Sequence, residues 1–85
     1  MGTTVRFRVV DGMRAFEEIQ NLAASKDWTL VGDHTRGRFS NNRLFIRISG
    51  TYFLTGDIVT LTLDQSYPVG MVEDEIRKAG YEPLD

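Results

Sequence analysis

Between Thr3 and Val10 apolar and polar residues alternate: Val5, Phe7 and Val9 fall on one side of an extended chain, Arg6 and Arg8 on the other. A period of two marks a half-buried strand. Asp11 and Gly12 interrupt it, and the period changes. Met13, Phe16, Ile19, Leu22 and Ala23 recur at spacings of three and four. That predicts an amphipathic helix over roughly residues 12 to 25, capped by Asp11, with Arg14, Glu17, Glu18 and Asn21 toward water.

Trp28, Leu30 and Val31 open a second strand. It runs into Gly32-Asp33-His34-Thr35, a stretch with turn chemistry, and Arg36 to Ser40 is extended again. The pattern allows either a break or a strong bend at Gly32. Asn41-Asn42 predicts a two-residue hairpin turn, since asparagine tolerates positive φ. A long third strand follows. Leu44, Ile46, Ile48, Gly50, Tyr52 and Leu54 share one parity; Arg43, Phe45, Arg47, Ser49, Thr51 and Phe53 share the other. A one-residue bulge at Gly50 would flip that parity, and it does not flip. Gly50 therefore reads as an inward position kept small so that a helix backbone can come close. The rival reading is a turn at Ser49-Gly50.

Thr55-Gly56-Asp57 predicts a second hairpin turn. Ile58 to Asp64 is a fourth strand, with Val59, Leu61 and Leu63 facing in and Thr60 and Thr62 facing out. Ser66, Tyr67 and Pro68 start a second helix, with proline in the first turn where a missing N–H costs nothing. Its apolar stripe is Val69, Val72, Ile76 and Ala79. Glu73, Asp74 and Glu75 come early, Arg77 and Lys78 late, as the helix dipole favours. Gly80 stops it. Both helices carry a single apolar stripe, so both need one sheet face to cover. The expected fold is a single α+β domain over residues 1–85. It is a two-layer sandwich in the order β-α-β-β-β-α, with a mostly antiparallel sheet of about four strands and both helices on one face.

Composition narrows the function classes. The chain has 85 residues and no cysteine, so neither a disulfide framework nor a thiolate metal site is available. No apolar run is long enough to span a bilayer. The N-terminus lacks a signal-peptide layout, and Arg6 stands where a myristoylation signal wants Ser or Thr. The expected location is cytoplasmic. Ten basic and twelve acidic side chains leave a net charge of −2, so total charge carries no nucleic-acid signal. Eight of the ten bases are arginine, which favours flat, bidentate or stacked contacts.

Candidate chemistry is sparse. His34 is the only histidine, and the spacing of Asp33, Asp57 and Asp64 does not make them converge on it; it reads as a turn residue. The glycines form neither GxGxxG nor a P-loop. Neighbours in the run Glu73-Asp74-Glu75 point about 100° apart on a helix, which suits a solvated face better than a cation site. Trp28 and Tyr67 read as core or core-edge residues. The expectation is a non-catalytic protein with no cofactor and no metal. What remains is the open sheet face, where Arg6, Arg8, Arg43, Phe45, Arg47 and Phe53 stand among Thr51, Thr60 and Thr62, with Arg36 and Arg38 at the rim. Three uses are open. The arginine stems can lie over the phenylalanine rings on a solvated surface. The face can bury itself on a protein partner or on a second copy as a homodimer. Or it can stack the bases of single-stranded RNA, although an RNP1-type run is absent.

The second half has a recognisable cadence: GRFS, then ISGTYFLTGDIVTLTL, then VEDEIRKAG. Over roughly residues 37 to 80 this is similar to small bacterial proteins of unknown function built on Gly-x-Phe, Gly-x-Tyr and Gly-Asp-x-Val-Thr signals. It also resembles the polyhydroxyalkanoic-acid-system family of short α+β proteins. The resemblance implies an accessory, non-enzymatic protein and transfers no catalytic residue.

Overall fold

Alternation in the chain becomes a sheet, and the two helical stripes become its cover. The computed structural model describes residues 2–41 and 48–84. Its elements are β1 (Thr4–Arg8), α1 (Gly12–Ser25), β2 (Trp28–Gly32), β3 (Arg36–Asn41), β4 (Ser49–Thr55), β5 (Ile58–Leu63), α2 (Val69–Lys78) and β6 (Glu82–Leu84). The described strands form one six-stranded sheet in the order β2-β3-β4-β5-β1-β6, every pair antiparallel. The α+β class is as expected; the strand count and the element order are not.

The extra strands have separate causes. Gly32 breaks the second predicted strand rather than bending it. It sits at φ +133°, and Asp33 to Thr35 form a turn that Asp33 closes by accepting the N–H groups of Thr35 and Arg36. β6 is a three-residue strand that returns after α2 to pair with β1, placing Pro83 opposite Phe7. The Asn41-Asn42 turn is also corrected. Asn41 is still in the ladder, its N–H donating to the Ile48 carbonyl at 2.9 Å and its side-chain oxygen accepting the Ile48 N–H at 3.0 Å. Ser40 therefore pairs with Ser49, where a two-residue turn would have paired it with Arg43.

Registers put Val5 and Phe7 beside Leu61 and Val59, and those beside Tyr52 and Leu54. This is the covered face. Val5, Phe7 and Val9 share one core with Ala15 of α1 and Ile76 of α2, so both helices lie on the same side of the sheet. Leu63 is the most deeply buried large side chain, at 2 % exposure. Two predicted stripe residues stay outside the core: Met13 and Val69 are about half exposed, each in the first turn of its helix. Asp11 caps α1 by accepting the Arg14 N–H at 3.2 Å. α2 begins one residue past Pro68, and no acid falls in its first turn. It ends as predicted at Gly80, φ +94°. The Thr3 hydroxyl donates to the Tyr67 carbonyl and accepts the Tyr67 N–H, at 3.1 and 2.9 Å, tying the start of β1 to the approach of α2.

Gly50 lies inside β4, buried and paired with Phe39 and Leu63, so the chain does not reverse at Ser49-Gly50. Its smallness has a different cause from the one expected. A Cβ there would press on the Thr62 carbonyl oxygen, come within 2.9 Å of Leu63 Cα and within 2.9 Å of the Phe39 ring. The close approach comes from the neighbouring strands, not from a helix backbone.

Candidate functional site

In a pleated strand the odd and even side chains leave by opposite faces, so the registers that bury Phe7 and Tyr52 expose their neighbours. Arg36 stands opposite Phe53, Phe53 opposite Thr60, Thr60 opposite Arg6, and Arg6 opposite Leu84. One row thus runs across five strands as Arg36–Phe53–Thr60–Arg6–Leu84. Beside it runs Val31–Arg38–Thr51–Thr62–Thr4. On the other flank Thr55, Ile58, Arg8 and Glu82 follow one another. Phe53 is 52 % exposed and Val31 66 %.

The four arginines are not equivalent. Arg38 is held by Asp64 at 2.7 Å, and the same carboxylate oxygen accepts the Ser49 hydroxyl at 2.8 Å. The Ser49 hydroxyl, and after it the Arg38 guanidinium, keep the Asp64 carboxyl below the usual carboxylate range. Arg8 lies 3.4 Å from Asp57. Both pairs are exposed, so solvent screening leaves each a small contribution to stability. Arg6 and Arg36 form no ion pair among the described residues. They are the two that flank Phe53 in its row. A shallow depression of about 570 Å³ is lined by Arg36, Arg38, Thr51 and Phe53 together with Gly32, Asp33, Gly37 and Tyr52. The Tyr52 side chain, on the covered face, is itself held in place. Its hydroxyl donates to the Asp33 carbonyl at 2.7 Å, its ring lies 6.2 Å from Phe16, and burial raises its pKa.

Of the six predicted site residues, Arg6, Arg8 and Phe53 are on the open face. Arg43, Phe45 and Arg47 lie outside the described residues. Arg36 and Arg38, expected at the rim, are within the patch. Asp57 and Asp64, weighed from the sequence only as partners for His34, and Val31, read only as part of a strand, were not assigned to this face. Parity alone could have found two of them: Asp64 shares the outward phase of Thr60 and Thr62, and Val31 is out of phase with Trp28 and Leu30.

His34 sits in the β2–β3 turn, partly exposed. Its neighbour Asp33 is drawn down to about 2 by the Thr35 hydroxyl and by the N–H groups of Thr35 and Arg36. That carboxylate is occupied in closing a turn. Among the described residues no group of three or more His, Cys, Asp or Glu side chains could hold a metal ion, and no helix is long and apolar enough to cross a membrane. Two of the three acids of α2 pair along their own helix, Asp74 with Arg77 at 3.3 Å and Glu75 with Lys78 at 3.7 Å. Chemically, the open face can offer a ring for stacking or burial and two flat guanidinium forks for anionic oxygens. No family model, curated protein or solved structure matches the chain.

Proposed function

We propose that this is a non-catalytic binding domain whose open sheet face takes up a segment of another protein, with Phe53 as the buried anchor. The observation that carries this is the row Arg36–Phe53–Thr60–Arg6, in which a half-exposed ring stands between two arginines that lack acidic partners among the described residues. Aromatic and arginine side chains are the residue types that supply most binding energy at interfaces. The two guanidinium groups in the ring's row have no ion pair among the described residues, so the fitting segment carries a hydrophobic group flanked by carboxylates. Two copies stacked face to face would bring like-charged surfaces together, which favours a different protein over a second copy here.

Panning a random peptide library in parallel on the wild-type chain and on Phe53→Ala tests this. Acidic-aromatic or acidic-aliphatic peptides should be enriched on the wild type alone, and Arg36→Glu should abolish their binding. Equal enrichment on Phe53→Ala refutes the face. Binding of a short single-stranded RNA at low salt, lost with Phe53→Ala while no peptide is enriched, would replace the protein reading with the nucleic-acid one, because phosphate contacts strengthen as salt falls.

A further inference from the structure

The sheet has two outer edges, and they are built differently. An unprotected edge strand offers a row of N–H and C=O groups to any other strand, and proteins blunt such edges with short strands, proline or charge. β6 is blunted in all three ways: it is three residues long, has Pro83 at its centre and carries Glu82. β2 has none of these devices. It is five residues long, reads Trp-Thr-Leu-Val-Gly, and among the described residues pairs only with β3.

We infer that β2 is a self-pairing edge, and that a second copy of this chain adds its own β2 antiparallel across a two-fold axis at Leu30. This goes beyond the open-face reading and uses a different surface. Asp33 N–H donates to the Arg36 carbonyl at 3.1 Å, which sets the alternation of the β2–β3 ladder. Bonded and non-bonded pairs alternate in an antiparallel ladder. Val31 and Thr29 therefore bond inward to Arg38 and Ser40, while Trp28, Leu30 and Gly32 direct their backbone groups outward. An axis at Leu30 sets Leu30 against itself and Trp28 against Gly32 of the second copy. Every outward-directed residue of β2 then meets another, giving a ladder of about six bonds. The side chains agree with this register. The indole of Trp28 meets a glycine on the covered face, and exposed Val31 meets Thr29 on the open face. The Asp33 carboxylate, which would otherwise approach the second copy's Asp27, is held in its own turn. Because the β6 edges are blunted, the assembly closes as a dimer and does not grow into a fibre.

A five-residue ladder predicts a weak dimer, with half-association between micromolar and millimolar concentration. Sedimentation equilibrium across that range, together with amide exchange read residue by residue, is the test. The weight-average mass should rise from one chain toward two, and the Leu30 amide should become protected as concentration rises. Leu30→Pro removes an outward N–H and leaves the Thr29 and Val31 bonds to β3 in place. Val31→Lys adds an edge charge without touching the core. Each should weaken association by at least about tenfold, while Phe53→Ala leaves it unchanged. A wild type that stays monomeric throughout overturns the inference. So does a dimer whose Leu30 amide exchanges at the same rate as in the monomer, or one that survives Val31→Lys but not Phe53→Ala. Peptide binding at the open face persists in Leu30→Pro, whose side chain stands on the covered face opposite Phe39, so failure of one proposal is distinguishable from failure of the other.

Discussion

Replacing Gly50 by alanine adds one methyl group, and the structure says where it goes. Its nearest neighbours are the backbone of β5 at Thr62 and Leu63 and the Phe39 ring, with Leu63 Cα and the ring each at 2.9 Å. A side chain can swing aside; a strand paired along its whole length with β4 cannot do so without straining the ladder. Overpacking of this kind costs about 1–3 kcal/mol, and backbone involvement places Gly50→Ala near the top of that range. Against it stands the stabilisation of about 0.4–1 kcal/mol that alanine brings by restricting the unfolded chain. The net expectation is a loss of about 2 kcal/mol, or roughly 8–16 °C in Tm for a domain of this size. That is a large share of the roughly 4–13 kcal/mol such a chain commands. Gly70 is the internal control. It lies in α2 with nothing within 4 Å of its would-be Cβ, so Gly70→Ala should raise stability by about 0.5–1 kcal/mol. Urea titration followed by Trp28 fluorescence and far-UV circular dichroism measures both. Equal gains in the two variants would show that β4 and β5 are not as close at this point as described, and the account of Gly50 would fail.

Two predictions concern pH. Asp33 titrates at about 2 in the fold, below the ordinary value of 3.8, so its contribution is fully present above about pH 4 and is lost as pH falls through about 2. Acid unfolding of Asp33→Asn should show a shallower pH dependence over that window. A slope identical to wild type would show that the turn does not hold the charge. Tyr81 is displaced in the opposite sense. Burial, then the hydrogen bond its hydroxyl donates to Glu18 at 3.0 Å, raises it to about 12. The stability linked to it is present below about pH 10 and is lost as pH rises toward 12. Tyr81→Phe should lose that alkaline dependence while keeping the ring contact with Phe7, whose centroid lies 5.3 Å away. Ultraviolet titration of the phenolate would refute the assignment if Tyr81 ionised with an ordinary midpoint.

How much of this was readable in the chain depended on whether an element carries its own period. β1, α1 and the stretch from Ile58 to Leu63 do: the two strands came out with the faces their alternation said, and α1 turned Ala23 inward as its stripe said but left Met13 exposed and buried Ala15, which the stripe had not included. β6 does not. Glu-Pro-Leu has no periodicity, and it is a strand only because β1 leaves an edge beside it. The first hairpin was misjudged because Asn-Asn is a good turn anywhere, while ladder pairing beyond it is a tertiary matter. The misjudgement had a limited effect on the site. Pairing Ser40 with Ser49 rather than Arg43 is an even shift, so no side chain changed face, and Phe53 stayed outward as its parity required. What changed was the company it keeps. Which arginine faces Phe53, and which arginines are taken up by Asp57 and Asp64, depends on register between strands and could not be read along any one of them.

The placement of β1 bears on how the molecule assembles. Strands β2 to β5 follow one another in space as they do along the chain, so each can zip onto its predecessor by closing a short loop. β1 precedes them in the sequence, yet its berth lies between β5 and β6, the latter formed by Glu82–Leu84. Phe7 therefore gains its strand neighbours Val59 and Pro83 only once β5 and β6 are in place. Closing a loop that long is slow relative to local pairing. The meander is the natural early nucleus, and docking of β1 between β5 and β6 is the step that seals the core.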